Sequence, residues 1–342
     1  MSDGTAGGTV YVQTNENTNR VMAFGRGADG ALTQGPSFET GGAGDGQPHL
    51  TSQGSVVLSG DGGFLLVTNV ASGDVSVFSV DADGGLALLG TTPAGPAPKS
   101  VAEHNGLVYV LATGGPSVSG FRLGEGGLEP IAGGEQTLAP DADPAQVGFT
   151  PDGSALIVTE RGRDSISAIP VGADGTLGTR QTVASSGPTP YGFAITAGGT
   201  LVVTEAFRAQ KGAAAASSYG VSGTDVTPIT TSAGNGRSEI CWAVVTADGR
   251  FAFTTNFADG AVSRYSIAGD GTLALDDAAA AITVDGRPGL RDEVLTSDGR
   301  YLYAIDADSG TVFGWAVDGD GMLSPVGSLG GLPTTVAGVA AT

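Results

Sequence analysis

One pattern recurs seven times along the 342 residues: a short apolar strand, a polar turn, a second strand, an acidic glycine turn and a weaker third strand. Its copies begin at Val10 (VYVQTNENTNRVMAFG), Leu65 (LLVTNVASGDVSVFSV), Val108, Leu156 (LIVTERGRDSISAIPV), Leu201, Phe251 (FAFTTNFADGAVSRYSI) and Tyr301, spaced 43 to 55 residues apart. Six copies are preceded by one more strand that ends in a tight turn: VVLSGDGG, SVAEHNG, VGFTPDG, FAITAGG, AVVTADG and EVLTSDG. Asp-Gly and Asn-Gly suit hairpins because glycine, and less readily Asn or Asp, tolerates positive φ. Each unit is therefore four antiparallel strands, A to D, and seven such units predict an all-β, seven-bladed β-propeller. The first copy lacks its A strand. Residues 334–341 are expected to supply it and so close the ring, leaving no mismatch between first and last blades.

No composition shift or polar linker marks a boundary, so residues 1–342 read as a single domain. The 59 glycines punctuate runs rich in Val, Leu, Phe, Tyr and Thr, and so read as turns between strands. Fifteen Lys and Arg against 35 Asp and Glu give a net charge of −20, which argues against nucleic-acid and anionic-membrane partners. A lone cysteine, Cys241, leaves no disulfide framework, and the start of the chain has neither a basic nor an apolar segment of a signal peptide. A cytoplasmic monomer or weak homo-oligomer is the expectation.

In a propeller the D–A and B–C loops share one face, and the A–B and C–D turns share the other. The A–B and C–D turns here carry the aspartate-glycine hairpins (Asp29, Asp61, Asp83, Asp152, Asp174, Asp248, Asp270, Asp298, Asp320) and read as structural. The opposite face gathers Lys99, Arg161, Arg163, Arg208, Lys211, Arg237, Arg287 and Arg291, which suggests a site for a carboxylate or phosphate. Strand B ends in Thr-Asn at Asn15, Asn69 and Asn256, but in Glu160, Glu205 and Asp306 in blades 4, 5 and 7. Two glutamates in neighbouring blades form a candidate acid–base pair; the plainer reading pairs Glu160 with Arg163 and Glu205 with Arg208. The starts of the A strands supply a mixed wall of Gln53, Ser55, Ser100, Gln146, Tyr191, Phe193, Trp242, Arg291 and Asp292, suited to a small-molecule pocket or to packing between blades. Only His49 and His104 exist, which excludes a multi-histidine metal site. The G-x-G-x-x-G of Gly25–Gly30 falls in a hairpin turn and not between strand and helix, so no dinucleotide site is expected. No metal or cofactor is expected.

Blades such as VGFTPDGSALIVTERGRDSISAIPV and VVTADGRFAFTTNFADGAVSRYSI resemble those of the lactonase-type seven-bladed propellers, and the likeness runs from Val10 to Thr342. That family includes bacterial 6-phosphogluconolactonases and fungal 3-carboxy-cis,cis-muconate lactonizing enzymes. The resemblance implies a cofactor-free reaction that makes or opens a lactone on an anionic substrate, using arginines, a glutamate and a histidine around the channel. On this chain it implies Glu160 or Glu205 as proton-moving residue, Arg161, Arg163 or Arg291 as substrate-carboxylate and oxyanion partners, and His49 as the available histidine. Gln53, Gln146, Tyr191, Phe193, Trp242 and Asp292 complete the expected binding wall. The alternatives are a non-catalytic propeller that binds a small molecule or protein at the same face, and an isomerase or cyclase of secondary metabolism.

Overall fold

The computed structural model of the chain describes residues 7–48, 50–284 and 287–342. They form seven four-stranded antiparallel sheets around a central channel. The innermost strands are Val339–Ala341, Val56–Leu58, Pro98–His104, Pro144–Phe149, Pro190–Ile195, Ile240–Val245 and Leu290–Leu295, in blades 1 to 7. Blade 1 is closed as expected by the last strand of the chain, where Val10, Tyr11 and Val12 pair with Ala341, Ala340 and Val339. No helix of the described residues is long and apolar enough to cross a membrane.

The period-2 pattern of each blade puts one set of side chains against each neighbour, and every interface between blades has its own apolar cluster. Tyr11, Val21 and Ala23 of blade 1 pack with Val56, Leu65 and Phe78 of blade 2, and Phe253 and Val262 of blade 6 with Leu302 and Trp315 of blade 7. Buried tyrosines also tie neighbouring blades through the C–D turns. The hydroxyls of Tyr11 and Tyr303 donate to Gly84 O at 2.9 Å and Gly30 O at 2.6 Å, and Tyr109 donates to Gly175 O. Those turns need glycine twice over: φ is +79° at Gly84, and a Cβ there would sit 2.0 Å from Thr9 Oγ1.

The A–B turns confirm a structural role for their aspartates. Ser59, Thr150, Thr246 and Thr296 each donate a hydroxyl hydrogen bond of 2.6–2.7 Å to the aspartate two residues on. These bonds hold the Asp61 and Asp152 carboxyls below their usual range, and Asp248 down to about 2.

A plug crosses the channel. Gln53, just before the inner strand of blade 2, donates from Nε2 to Ala243 O at 2.7 Å and accepts from Ala243 N at 3.1 Å, on blade 6. Its own N–H reaches Ala145 O of blade 4 at 3.3 Å, and Trp242 Nε1 donates to Ser52 O at 2.8 Å. The channel is thereby divided into a mouth on the D–A and B–C loop side and a cavity on the A–B turn side.

Candidate active site at the channel mouth

The mouth is built by a repeated irregularity. In blades 3 to 7 the inner strand breaks register with strand B just after its first residue, between Pro98 and Ser100, Pro144 and Gln146, Pro190 and Phe193, Ile240 and Trp242, and Leu290 and Glu293. The residues freed from pairing include Lys99, Ala145, Tyr191, Cys241 and Arg291, and a bulge of this kind re-aims the side chain it carries. The residue before each of these strands is left-handed: Ala97, Asp143, Thr189 and Glu239 have φ of +54°, +41°, +60° and +55°, and Gly289 has +137°. Four side chains held in a conformation that favours glycine are a concentrated store of strain beside one opening. Two of the four, in blades 4 and 6, are acids.

Tyr191, Cys241, Trp242 and Ala145 pack together as an apolar floor with Phe257 beside them. The Tyr191 and Trp242 ring centroids lie 5.6 Å apart. Cations stand over this floor. The Arg161 guanidinium lies 4.8 Å from the Tyr191 centroid, and that of Arg291 lies 5.5 Å from Phe257. Arg161 is held at 2.7 Å by Asp143. Lys99 and Arg291 have no carboxylate within ion-pair distance among the described residues. Lys99 Nζ reaches only Thr51 Oγ1 at 3.3 Å, and Arg291 Nη1 only Val336 O at 3.5 Å, with its Nε unpartnered. Burial lowers the affinity of both cations for their protons, and the charge of Arg161 acts in the same direction on Lys99.

Tyr191 is buried and its hydroxyl has no partner among the described residues. Burial raises its pKa well above the usual value, so it remains a proton donor. Burial likewise raises the Cys241 thiol and makes it a poor nucleophile. Glu239, half-buried, has a carboxyl raised above its usual range by desolvation, and no hydrogen bond or ion pair engages that carboxyl among the described residues. Glu239, Arg161 and Arg291 all act electrostatically on the Cys241 thiol, which places them around one point. The opening therefore has a raised acid, two cations with no carboxylate in ion-pair distance among the described residues, a third cation paired with Asp143 and an orphan hydroxyl.

Several expected site residues go elsewhere. Glu160 is fully buried, and its carboxylate turns outward to strands C and D, accepting from Ser167 Oγ and, at 2.9 Å, from Arg180. Glu205 accepts from Ser217 Oγ at 2.6 Å, Ser232 Oγ at 2.7 Å and Gly187 N at 2.7 Å, and burial raises its pKa. The same place in blades 2 and 6 is held by Asn69 and Asn256, which bond Ser76 and Ser263. A carboxylate replaces an amide in one structural network; the three bonds to Glu205 engage both of its oxygens, whereas Glu160 is bonded through Oε1 alone and its buried Oε2 has no hydrogen-bond partner among the described residues. Blade 1 differs: Asn15 lies one residue beyond this position, at φ +53°, bonded to Asp45. The pairing of Glu160 with Arg163 and of Glu205 with Arg208 is not found; Arg163 binds Asp141 at 2.8 Å and Arg208 binds Asp164. Phe193 is packed between blades 4 and 5. Gln146 exchanges two hydrogen bonds, of 3.0 and 2.6 Å, with the backbone of Phe193, as Gln53 does with Ala243. Both amides bridge bulges, each spending one N–H and its oxygen on backbone. Asp292 lies below the plug, and His49 lies outside the described residues.

Replacing Glu160 by Ala is expected to destabilise the fold by about 2–4 kcal/mol, since Arg180 and Ser167 lose a shared buried acceptor. Glu160→Gln, which copies the amide of blades 2 and 6, should cost about 1 kcal/mol or less. Urea denaturation of the two variants measures the difference.

Hollows also exist away from the mouth. A groove of about 620 Å³ runs along the flank of blades 2 and 3, but Glu135 is the only ionisable side chain on it. It lacks the convergence of charges seen at the mouth.

Comparison with known proteins agrees with this architecture. Residues 118–211 match the family described as Lactonase, 7-bladed beta-propeller. No curated protein matches the chain. A candidate 6-phosphogluconolactonase of Bacteroides fragilis superposes with a TM-score of 0.75 at 20% identity, covering 100% of this chain and 99% of its own. The periplasmic gluconolactonase PpgL of Pseudomonas aeruginosa gives 0.75 at 18% identity, covering 98% and 99%. A streptogramin B lyase gives 0.57 at 15% identity over 81% and 83% of the two chains, so the shared scaffold also carries a different chemistry. By sequence across blades 3 to 5, and by fold around the whole ring, this chain is similar to the lactonase-type seven-bladed β-propellers.

Proposed function

We propose that this chain is a lactone hydrolase, acting on a small anionic lactone at the mouth between blades 3 and 7. One observation carries the reading: two half- to fully buried cations, Lys99 and Arg291, stand without a carboxylate partner around an apolar floor. Only carboxylates beyond ion-pair distance, Asp45 and Asp143 for Lys99 and Asp308 and Asp306 for Arg291, offset these charges, and a bound anion would complete the site. Lys99, Arg161 and Arg291 would bind the substrate's carboxylate or phosphate and the oxyanion formed on the lactone carbonyl. The Tyr191 hydroxyl would donate to a substrate oxygen. Glu239 would take a proton from the attacking water and return it to the ring oxygen as the ester bond breaks. The product is the open hydroxy acid, and no group beyond water is consumed. The similarity to a gluconolactonase supports the reaction class, and the cations support the anionic substrate.

The test is initial-rate titration on 6-phosphogluconolactone, neutral sugar lactones and muconolactones, with spontaneous hydrolysis subtracted. Glu239→Gln should lower kcat by about 10²- to 10⁴-fold, and Arg291→Gln should raise KM for anionic lactones far more than for neutral ones. Glu160→Gln and Glu205→Gln should keep most activity once corrected for folded fraction. Loss of activity in folded Glu205→Gln with Glu239→Gln unaffected would move the chemistry to blade 5. No turnover on any lactone would overturn the hydrolase reading in favour of binding or isomerisation.

A further inference from the structure

Below the plug, on the opposite face from the mouth, the channel holds a separate cavity of about 400 Å³. Its walls are apolar, with Val57, Leu58, Ala102, Val244 and Val294 among them, while Gln53, Gln146, Asp292 and Glu293 contribute polar groups. The two amides are each bonded twice to backbone on other blades. The two carboxyls differ. Both are 3% exposed, and neither Glu293 oxygen makes a well-formed hydrogen bond among the described residues, although the carboxyl faces the N–H of Thr255. Asp292 accepts from Glu293 N at 3.0 Å and also faces the N–H groups of Gly54 and Val339. A buried carboxyl with neither oxygen in a well-formed hydrogen bond is destabilising, and among the described residues Glu293 is the carboxyl with both oxygens in that state.

The neighbouring blades show that the acid is not needed for packing. Val56, Val101, Val147, Phe193 and Ala243 stand in the place of Glu293 in blades 2 to 6, all buried. The cavity opens toward the A–B turns, whose aspartates Asp61, Asp152 and Asp248 are held ionised by their own turn hydrogen bonds. Arg250 offsets Asp248, and Arg26 stands 3.9 Å from Asp298, but the face as a whole favours cations over anions.

We propose that this cavity binds a small primary alkylammonium ion, with its nitrogen at the Asp292 and Glu293 carboxyls and its alkyl chain along the apolar walls. A bare metal ion fits less well, since no group of three or more metal-ligating carboxylate, His or Cys side chains forms among the described residues, and it would leave the apolar walls unused. Burial holds Asp292 up to about 8 and Glu293 well above its usual range, so the empty site is protonated at neutral pH. When the ammonium enters, one carboxyl gives its proton to solvent and the resulting carboxylate pairs with the nitrogen. The charge of the site is then unchanged on binding. Glu103 is the other ionisable side chain lining the cavity, and its carboxylate is already bonded to Gly60 N and Gly106 N at 2.7 Å. On the strands packed against this segment the ionisable groups are Cys241, Tyr301, Tyr303 and Asp306, with Arg291 on the strand itself.

Isothermal titration with n-butylammonium chloride, at pH 6, 7 and 8 and in two buffers of different ionisation heat, tests this. The expected result is saturable 1:1 binding, with close to one proton released and affinity rising about tenfold between pH 6 and 7, and with a smaller release and a shallower rise toward pH 8, where Asp292 itself begins to ionise. Butanol, the uncharged isostere, should bind at least about tenfold more weakly, the factor that 1.4 kcal/mol represents. The Asp292→Asn/Glu293→Gln double variant should lose the proton release and at least the same factor. Val57→Trp, which fills the cavity while leaving both acids, should abolish binding. If the double variant does not melt like the parent, Val57→Trp and the butanol comparison decide. No saturable heat at high millimolar ammonium, equal binding of butanol, or undiminished binding by a folded double variant would overturn the proposal. The mouth and its lactone chemistry lie on the other side of the plug, so either outcome leaves that reading to its own test.

Discussion

A variant ending at Gly338 loses its cooperative fold. The four residues removed include the whole inner strand of blade 1, and with it the pairing of Val10, Tyr11 and Val12. They also remove the exchange of Thr9 with Thr342, 2.8 Å to Oγ1 and 3.0 Å from the Thr342 N–H, and the 3.2 Å bond from buried Arg26 to Thr342 O. Val10 and Val12 belong to the core shared with blade 7 and Tyr11 to the core shared with blade 2, so the cut opens two interfaces at once. Each backbone group stranded there costs about 1–3 kcal/mol, and each exposed Val-sized side chain about 1.5–3 kcal/mol more. The sum reaches the whole stability of an ordinary domain, about 5–15 kcal/mol. Circular dichroism melts and size exclusion should show a broad transition and aggregation through the exposed edge. A peptide spanning residues 332–342, added in trans, should restore a cooperative melt by adding the missing strand. A truncated protein that stays monomeric and melts within a few degrees of the parent would refute this account of ring closure.

The ring itself was legible because a blade repeats seven times and its turns are marked each time by the same chemistry. Asp61, Asp152 and Asp248 could be read as turn residues from Ser/Thr-x-Asp-Gly alone, and their hydroxyl–carboxylate bonds bear this out. The mouth was half legible. Aligning the repeats finds the start of each inner strand, and so Tyr191 and Arg291, but a pattern of alternation cannot show where a strand breaks register. One residue of slip separates Ser100 from Lys99, Gln146 from Ala145 and Trp242 from Cys241, and in a strand one residue reverses the face. The contrast between Asn69 and Glu160 looked like a functional substitution because sequence gives no view of the partners. Arg180, twenty residues on, supplies the charge that makes the acid fit. Glu239 and Asp143 went unrecognised as a pair because their equivalence is a shared left-handed backbone position, and no residue type marks it.

Stability is expected to peak in mildly acid solution and fall steadily toward pH 8. Two sets of carboxyls pull in opposite directions. Turn aspartates such as Asp61, Asp152 and Asp248, the last at about 2, bind protons less readily in the fold than in the unfolded chain. Their contribution is present above the ordinary carboxylate range and is lost as the pH falls through their folded values. Asp292, at about 8, and Glu293, also raised, behave in the other sense. Burial makes the folded state hold protons that the unfolded state has given up. From about pH 4, the ordinary carboxyl value, to about pH 8, Asp292 lowers stability by about 1.4 kcal/mol per pH unit, and Glu293 acts in the same direction. The stabilising preference of each is complete below the unfolded value and gone above the folded one. Urea midpoints at pH 5, 6, 7 and 8 should therefore decline in the parent. Asp292→Asn keeps an oxygen facing the same N–H groups but cannot ionise, so its decline should be shallower by about 1.4 kcal/mol per unit. At pH 5 the two proteins should be close in stability, and at pH 8 the variant should be the more stable. The −20 net charge adds a repulsion that also grows with pH, but 0.5 M salt screens charges spread over the surface and leaves a buried carboxyl nearly untouched. A slope that disappears in salt, or that Asp292→Asn leaves unchanged, would assign the alkaline loss to surface repulsion and remove the buried pair from the explanation.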